Sequence, residues 1–140
     1  MDESYVADAM SGEMPIGSHD FKEIREKDHL YVDKTDMIPH ILSKGAKVYL
    51  YTRPRRFGKS LNLNMLDAFF NMKYPKDNKW FDGLKVSECE MCRKHKNAHP
   101  VIYLSLKDLK SSDFDLFVRR LGQKFSNLYG RYTYLEESNK

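Results

Sequence analysis

The chain has 140 residues, 41% hydrophobic and 13% aromatic, with a formal net charge of +4. That length suits one core of ordinary size, and the aromatic content argues against a disordered chain. No run approaches the roughly 18 consecutive apolar residues of a membrane span, and no basic-then-apolar leader opens the chain. The two cysteines, Cys89 and Cys92, are too few and too close for a disulfide framework, so a reducing, cytoplasmic setting is the expectation. The modest positive charge permits an anionic partner without requiring one.

Residues 1–14 are small, acidic and without periodicity, and read as a flexible N-terminal tail. Asp20 is placed to cap a short helix carrying Phe21 and Ile24, with Glu23 as its capping-box partner. "HLYVDKT" reads as an extended piece ending in a polar turn. "DMIPHILSKG" then reads as a helix closed by Gly45, with Pro39 expected to bend or break it early.

"KVYLYT", residues 47–52, has the β-branched and aromatic character of a strand buried on both faces. From Lys59 onward Leu61, Met65, Phe69 and Met72 recur at helical spacing, which predicts a helix with a broad buried stripe. Residues 73–100 look like a polar excursion holding Trp80 and both cysteines. "PVIYLSL", residues 100–106, is a second strand candidate, and "SSDFDLFVRRLGQKFSNLY" an amphipathic helix capped by Ser112 or Asp113. The order strand, helix, strand, helix predicts an α/β fold: a partial P-loop NTPase-like domain, with a parallel sheet flanked by helices.

Between the first strand candidate and its helix lies Arg53-Pro54-Arg55-Arg56-Phe57-Gly58-Lys59-Ser60. The Walker A phosphate-binding loop is Gly, four variable residues, then Gly-Lys and Ser or Thr, between a strand and a helix, and only the first position departs from it. Such a loop holds anions on backbone N–H groups at a helix's positive end, so Gly58 must let the backbone come close. Lys59 then supplies the charge for the β- and γ-phosphates of ATP, and the Ser60 hydroxyl is the Mg²⁺ ligand. Pro54, with its fixed φ, can shape the turn in place of the first glycine. Arg53, Arg55, Arg56 and Lys59 repel one another at a helix N-terminus unless an anion or carboxylates sit among them.

"MPIGSHDFKEIREKDHLYVDKTDMI", "GAKVYLYTRPRRFGKSLNLNML" and "PVIYLSL" before an amphipathic helix together resemble the N-terminal part of the AAA-ATPase-like family, over nearly all of the chain from Pro15. The family itself carries Arg where the usual loop has its first Gly. The resemblance implies that Gly58, Lys59 and Ser60 take the phosphate and Mg²⁺ roles, with Arg55, Arg56 and Phe57 as backbone donors. It also implies that residues 15–140 are the N-terminal part of such a domain, stopping before its Walker B strand. The partners would then be the remainder of the ATPase domain and a C-terminal nuclease-like domain of the PD-(D/E)XK type. On this reading the 140-residue chain binds nucleotide weakly and does not hydrolyse it, and Asp108 is the best internal candidate for a Mg²⁺-side acid. For "YVDKT", residues 31–35, two readings stand: lining the base side of the nucleotide, or capping of the next helix by Asp33 and Thr35.

The competing class is a basic module that binds nucleic acid or an acidic protein, without nucleotide chemistry. Arg119, Arg120 and Lys124 could serve it, but such strips are usually solvated faces. Cys89, Cys92, His95 and His99 are zinc-ligand types, yet four ligands within eleven residues leave little chain to wrap a tetrahedral site. An exposed loop with incidental thiols is the simpler reading.

Overall fold

The computed structural model describes residues 13–15, 17–18 and 20–132. The tail expected over 1–14 therefore lies outside the described residues except for Glu13 and Met14. Five α-helices are described: α1 (Phe21–Glu26), α2 (Met37–Lys44), α3 (Lys59–Phe70), α4 (Glu90–Arg93) and α5 (Phe114–Tyr129). Short 3-10 turns occupy Lys85–Glu88 and Lys107–Leu109. The chain divides into two compact units, which meet in sequence at Val101 and Ile102.

The expected parallel sheet is not formed among the described residues. Among the described residues the β structure amounts to one isolated parallel bridge between Asn71 and His99, and the architecture is mainly helical. Among the described residues neither strand candidate forms part of a β-ladder. Val48 and Leu50, expected to be buried on both faces, are 82% and 85% exposed, and Ile102 is 64% exposed. β-Branched and aromatic composition reports fitness for a packed, pleated surface, and has no effect without a neighbouring strand to supply one. Tyr49 is the tethered residue of the first segment: its hydroxyl donates to Ile41 O (2.8 Å) near the end of α2 and accepts from Ala46 N (3.1 Å).

The helices form where capping and spacing place them. Asp20 caps α1 by accepting the Lys22 amide at 2.9 Å. Glu23 does not complete a capping box, because its carboxylate is taken by Ser18 Oγ (3.0 Å) and Lys27 Nζ (2.7 Å). Pro39 does not break α2: it is the third helical residue, within the first turn, where amides have no intrahelical acceptor. Gly45 ends α2 in the left-handed conformation, φ 55°.

The core of the first unit gathers Phe21, Ile38, Met65, Ala68, Phe69, Phe81, Leu84, Val86 and Cys92. Phe81 sits at its centre, 4.9 Å from the Phe21 ring and 5.1 Å from Phe69. Residues 73–100 are thus no polar excursion, since they contribute Phe81, Leu84, Val86 and Cys92 to the interior. Burying a side chain such as Phe81 contributes about 2–3 kcal/mol. Met72, expected on the buried stripe, lies past the end of α3 and is 56% exposed.

The C-terminal end of α3 has all four terminal carbonyls satisfied. Asp67 O accepts the Asn71 amide (3.0 Å), Ala68 O the Asn97 side-chain amide (2.8 Å), Phe69 O the Asn97 backbone amide (2.6 Å) and Phe70 O the His99 amide (2.9 Å). Asn97 holds φ 49°, a left-handed value that Asn tolerates better than most residues.

In the second unit, Asp113 caps α5 by accepting the Asp115 amide at 2.9 Å. The helix is strongly amphipathic, as its spacing predicts, yet no residue of it is buried among those described, and Phe114 is 75% exposed.

Candidate functional site: the open end of α3

The loop before α3 is everything its other end is not. Arg53, Arg55, Arg56, Phe57, Gly58, Lys59 and Ser60 are all exposed. The N-cap is Gly58, so no side chain caps this end, and the first turn contains no acidic residue. Its amides and the positive end of the helix dipole therefore face outward.

Two backbone reversals shape the approach. Gly58 has φ 71°, and a Cβ added there would meet nothing within 4 Å, so conformation rather than space calls for glycine. Arg56 has φ 67° without that licence, at a cost of about 1–2 kcal/mol. Phe57, between them, is 61% exposed.

Lys59 closes the loop on itself. Its ammonium donates to Arg53 O and to Pro54 O, the latter at 3.2 Å, drawing the first helical residue back over the start of the loop. None of Arg53, Arg55, Arg56 and Lys59 forms an ion pair among the described residues. This arrangement presents uncapped amides, unpaired cations and one exposed hydroxyl, Ser60, in a single continuous stretch. Chemically it suits an anion.

Of the "YVDKT" residues, Asp33 and Thr35 do not cap α2 with their side chains. Asp33 Oδ1 accepts the Thr35 amide (2.8 Å) and hydroxyl (2.7 Å), and Oδ2 accepts the Lys85 amide (2.8 Å), while Thr35 Oγ1 accepts the Val86 amide (3.2 Å). The N-cap of α2 is Asp36, whose carboxylate pairs with Lys85 Nζ at 2.7 Å. The motif thus ties the approach to α2 onto the 3-10 turn at Lys85–Glu88. Burial alone would raise the Asp33 carboxyl, but the Lys85 and Thr35 donors outweigh it and hold it below the usual carboxylate range.

The four zinc-type residues separate into two pairs. Cys89 and Cys92 are joined as a disulfide, with Cys92 fully buried in the core, so they are not incidental thiols of an exposed loop. His95 Nδ1 and His99 Nε2 share a hydrogen bond of 2.8 Å between stacked rings. Among the described residues, no group of three or more His, Cys, Asp or Glu is placed to hold a metal ion. Asp108 belongs to the 3-10 turn Lys107–Leu109, and its side chain lies outside the described residues. Of the basic strip on α5, Arg120 donates to Lys110 O (3.1 Å) and Lys124 to Ser105 O, so these two brace their own unit.

One polar cluster was not singled out by sequence reasoning. Asp67, 5% exposed, accepts Asn71 Nδ2 (2.7 Å), Lys73 Nζ (3.1 Å) and the Tyr74 hydroxyl (3.0 Å). The signal available was a carboxylate on the buried side of a helix, four residues before an Asn. Its bonds are all internal, which makes it a scaffold for the C-terminal end of α3.

No helix of the described residues is long and apolar enough to cross a membrane. No solved structure matches the chain. A segment of 94 residues is 39% identical to an "Uncharacterized protein in vnfD 5'region" of Azotobacter chroococcum mcd 1, covering 66% of this chain and 16% of that protein. The chain thus matches only a small part of its relative's length. A family model described as "Predicted AAA-ATPase" matches residues 15–140. The chain belongs to the AAA-ATPase-like family.

Proposed function

We propose that this chain binds a nucleoside triphosphate, ATP as the family description suggests, through the loop from Arg53 to Ser60. The observation that carries the reading is the junction at Gly58: a left-handed glycine opens α3 with uncapped first-turn amides, and Lys59 lies back over the loop. The phosphates take the amide donors at the helix end, and Lys59 exchanges two carbonyl contacts for charged oxygens. Arg55 and Arg56 add field around them, with the backbone of Arg55, Arg56 and Phe57 contributing donors.

Mg²⁺ fits this donor set as the companion of a nucleotide. Ser60 offers one hydroxyl, and phosphate oxygens and waters complete an octahedron. The residues described supply binding. Turnover also needs an acid to hold the Mg²⁺ water shell and a group to orient the attacking water, and no described carboxylate is paired with a cation of this loop. Within a longer protein, those groups and a nuclease-like domain are the proposed partners.

A second reading, nucleic-acid binding by the same cations, draws on Tyr51, 40% exposed and stacked on Tyr49 at 6.4 Å. Calorimetry separates the two. Mg²⁺–ATP is expected to bind the wild type and to bind Lys59→Ala at least about tenfold more weakly, the share of one charge-assisted contact. No ATP binding, together with DNA binding that falls steeply with salt, selects the second reading.

A further inference from the structure

We propose that Cys89 and Cys92 form a reversible thiol–disulfide exchange site that reacts with a small anionic thiol. This is independent of the nucleotide reading.

The disulfide spans Cys-x-x-Cys, with Cα atoms 5.2 Å apart. A cross-link closing so short a loop constrains the unfolded chain least of all, so a purely structural staple is a poor account of it. The local backbone does not depend on the bond. Cys89 N donates to Val86 O (3.1 Å), Cys92 N to Cys89 O (3.0 Å) and His95 N to Cys92 O (3.0 Å), so the turn is fixed by its own amides. Reduced, Cys92 would remain a small apolar side chain in the same core position. Both redox forms therefore suit one backbone.

The two sulfurs are unequal. Cys92 is fully buried, whereas Cys89 is only partly buried and packs at the edge of the core. Attack from solvent is directed to Cys89. In the dithiol form the same difference in access makes Cys89 the nucleophile of the pair. Of the flanking charges, Lys85 pairs with Asp36 and Arg93 with Glu90, which leaves Lys94 and Lys96 against Glu88, a small positive balance that favours an anionic thiol.

The chemistry balances as follows. A thiolate RS⁻ attacks Cys89 Sγ, the S–S bond breaks, and the electron pair leaves on Cys92 Sγ, which takes up a proton. A second RS⁻ attacks the outer sulfur of the mixed disulfide, releasing RSSR and the Cys89 thiolate. Protein disulfide plus two RSH gives protein dithiol plus RSSR, and oxidation runs the same steps backwards.

Glutathione is the probe. The 140-residue chain is equilibrated with reduced and oxidised glutathione at varied ratios, quenched with iodoacetamide, and weighed by mass spectrometry, with circular dichroism recorded on the same samples. Interconversion between zero and two alkylated cysteines, with an unchanged spectrum, is expected. Cys92→Ser should accumulate one glutathione adduct, at Cys89, and Cys89→Ser none while folded. A pair that stays in one state at every ratio, a Cys92→Ser protein that takes up no glutathione, or reduction that unfolds the chain would each overturn the proposal.

Discussion

The side-chain amide of Asn97 donates to Ala68 O at 2.8 Å, closing the C-terminal end of α3 from 29 residues away. The same nitrogen also reaches Asn71 O at 3.0 Å, and the Asn97 backbone amide reaches Phe69 O. Asn97→Ala leaves two buried carbonyls without this donor and puts Ala at φ 49°. A loss of about 2–4 kcal/mol is expected, read as a lower urea midpoint at unchanged slope. Asn97→Gly, which keeps the backbone conformation, should lose less than the alanine variant.

Asp33 sets an acid limit. Its carboxyl is held below the usual range when folded, so its stabilisation is present above the unfolded carboxylate value of about 4 and is lost as pH falls through the lower folded value. Asp33→Asn should flatten the dependence of stability on pH in that window while lowering stability at pH 7 by about 1–3 kcal/mol. Equal acid sensitivity in the variant and the wild type would exclude this account.

Two glycines should respond with opposite signs. Gly58 has φ 71° and open space around it, so Gly58→Ala costs about 1 kcal/mol through conformation alone. Gly122 lies inside α5, also with nothing within 4 Å and no positive φ, so Gly122→Ala should stabilise by about 0.5–1 kcal/mol. Thermal unfolding of the two variants beside the wild type reads both signs at once.

The His95–His99 pair predicts a second pH response. Burial first, then the charges of His99 and Lys94, hold His95 below the usual imidazole range. A group depressed in this way favours the fold when neutral: its contribution is complete above the unfolded value of about 6.5 and is lost as pH falls through the folded one. The melting temperature should decline between pH 7 and 5, and His95→Gln should weaken that decline.

The helices were legible in the sequence because local signals make them. Asp20, Asp113 and Gly45 mark ends by hydrogen bonds or backbone conformations within a few residues, and Leu61, Met65 and Phe69 repeat at the helical period. Residues 47–52 and 100–106 carry a strand signal that the fold does not use, for the complementary reason. Their composition speaks of a neighbour that no local residue provides, and Val48 and Leu50 stand open to solvent. Phe81 was hidden among charges at 73–100, although it joins Phe21 to Phe69, because its partners lie 60 and 12 residues away. At the candidate site, the loop from Arg53 to Ser60 was visible as a pattern, whereas the left-handed turn at Arg56 and the fold-back of Lys59 are matters of conformation. By count and spacing Cys89 and Cys92 look incidental, and only three dimensions place Cys92 inside the core.

The unequal ends of α3 have a kinetic consequence. A helix clamped at its last turn and uncapped at its first can open from one side only, so amide hydrogen exchange should be fast at Ser60 and Leu61 and slow by Met65 to Phe69. An anion seated at the open end would slow exchange in that first turn and leave the clamped turn as it was. Such a helix reports occupancy at its tip while its root keeps the rest of the unit still.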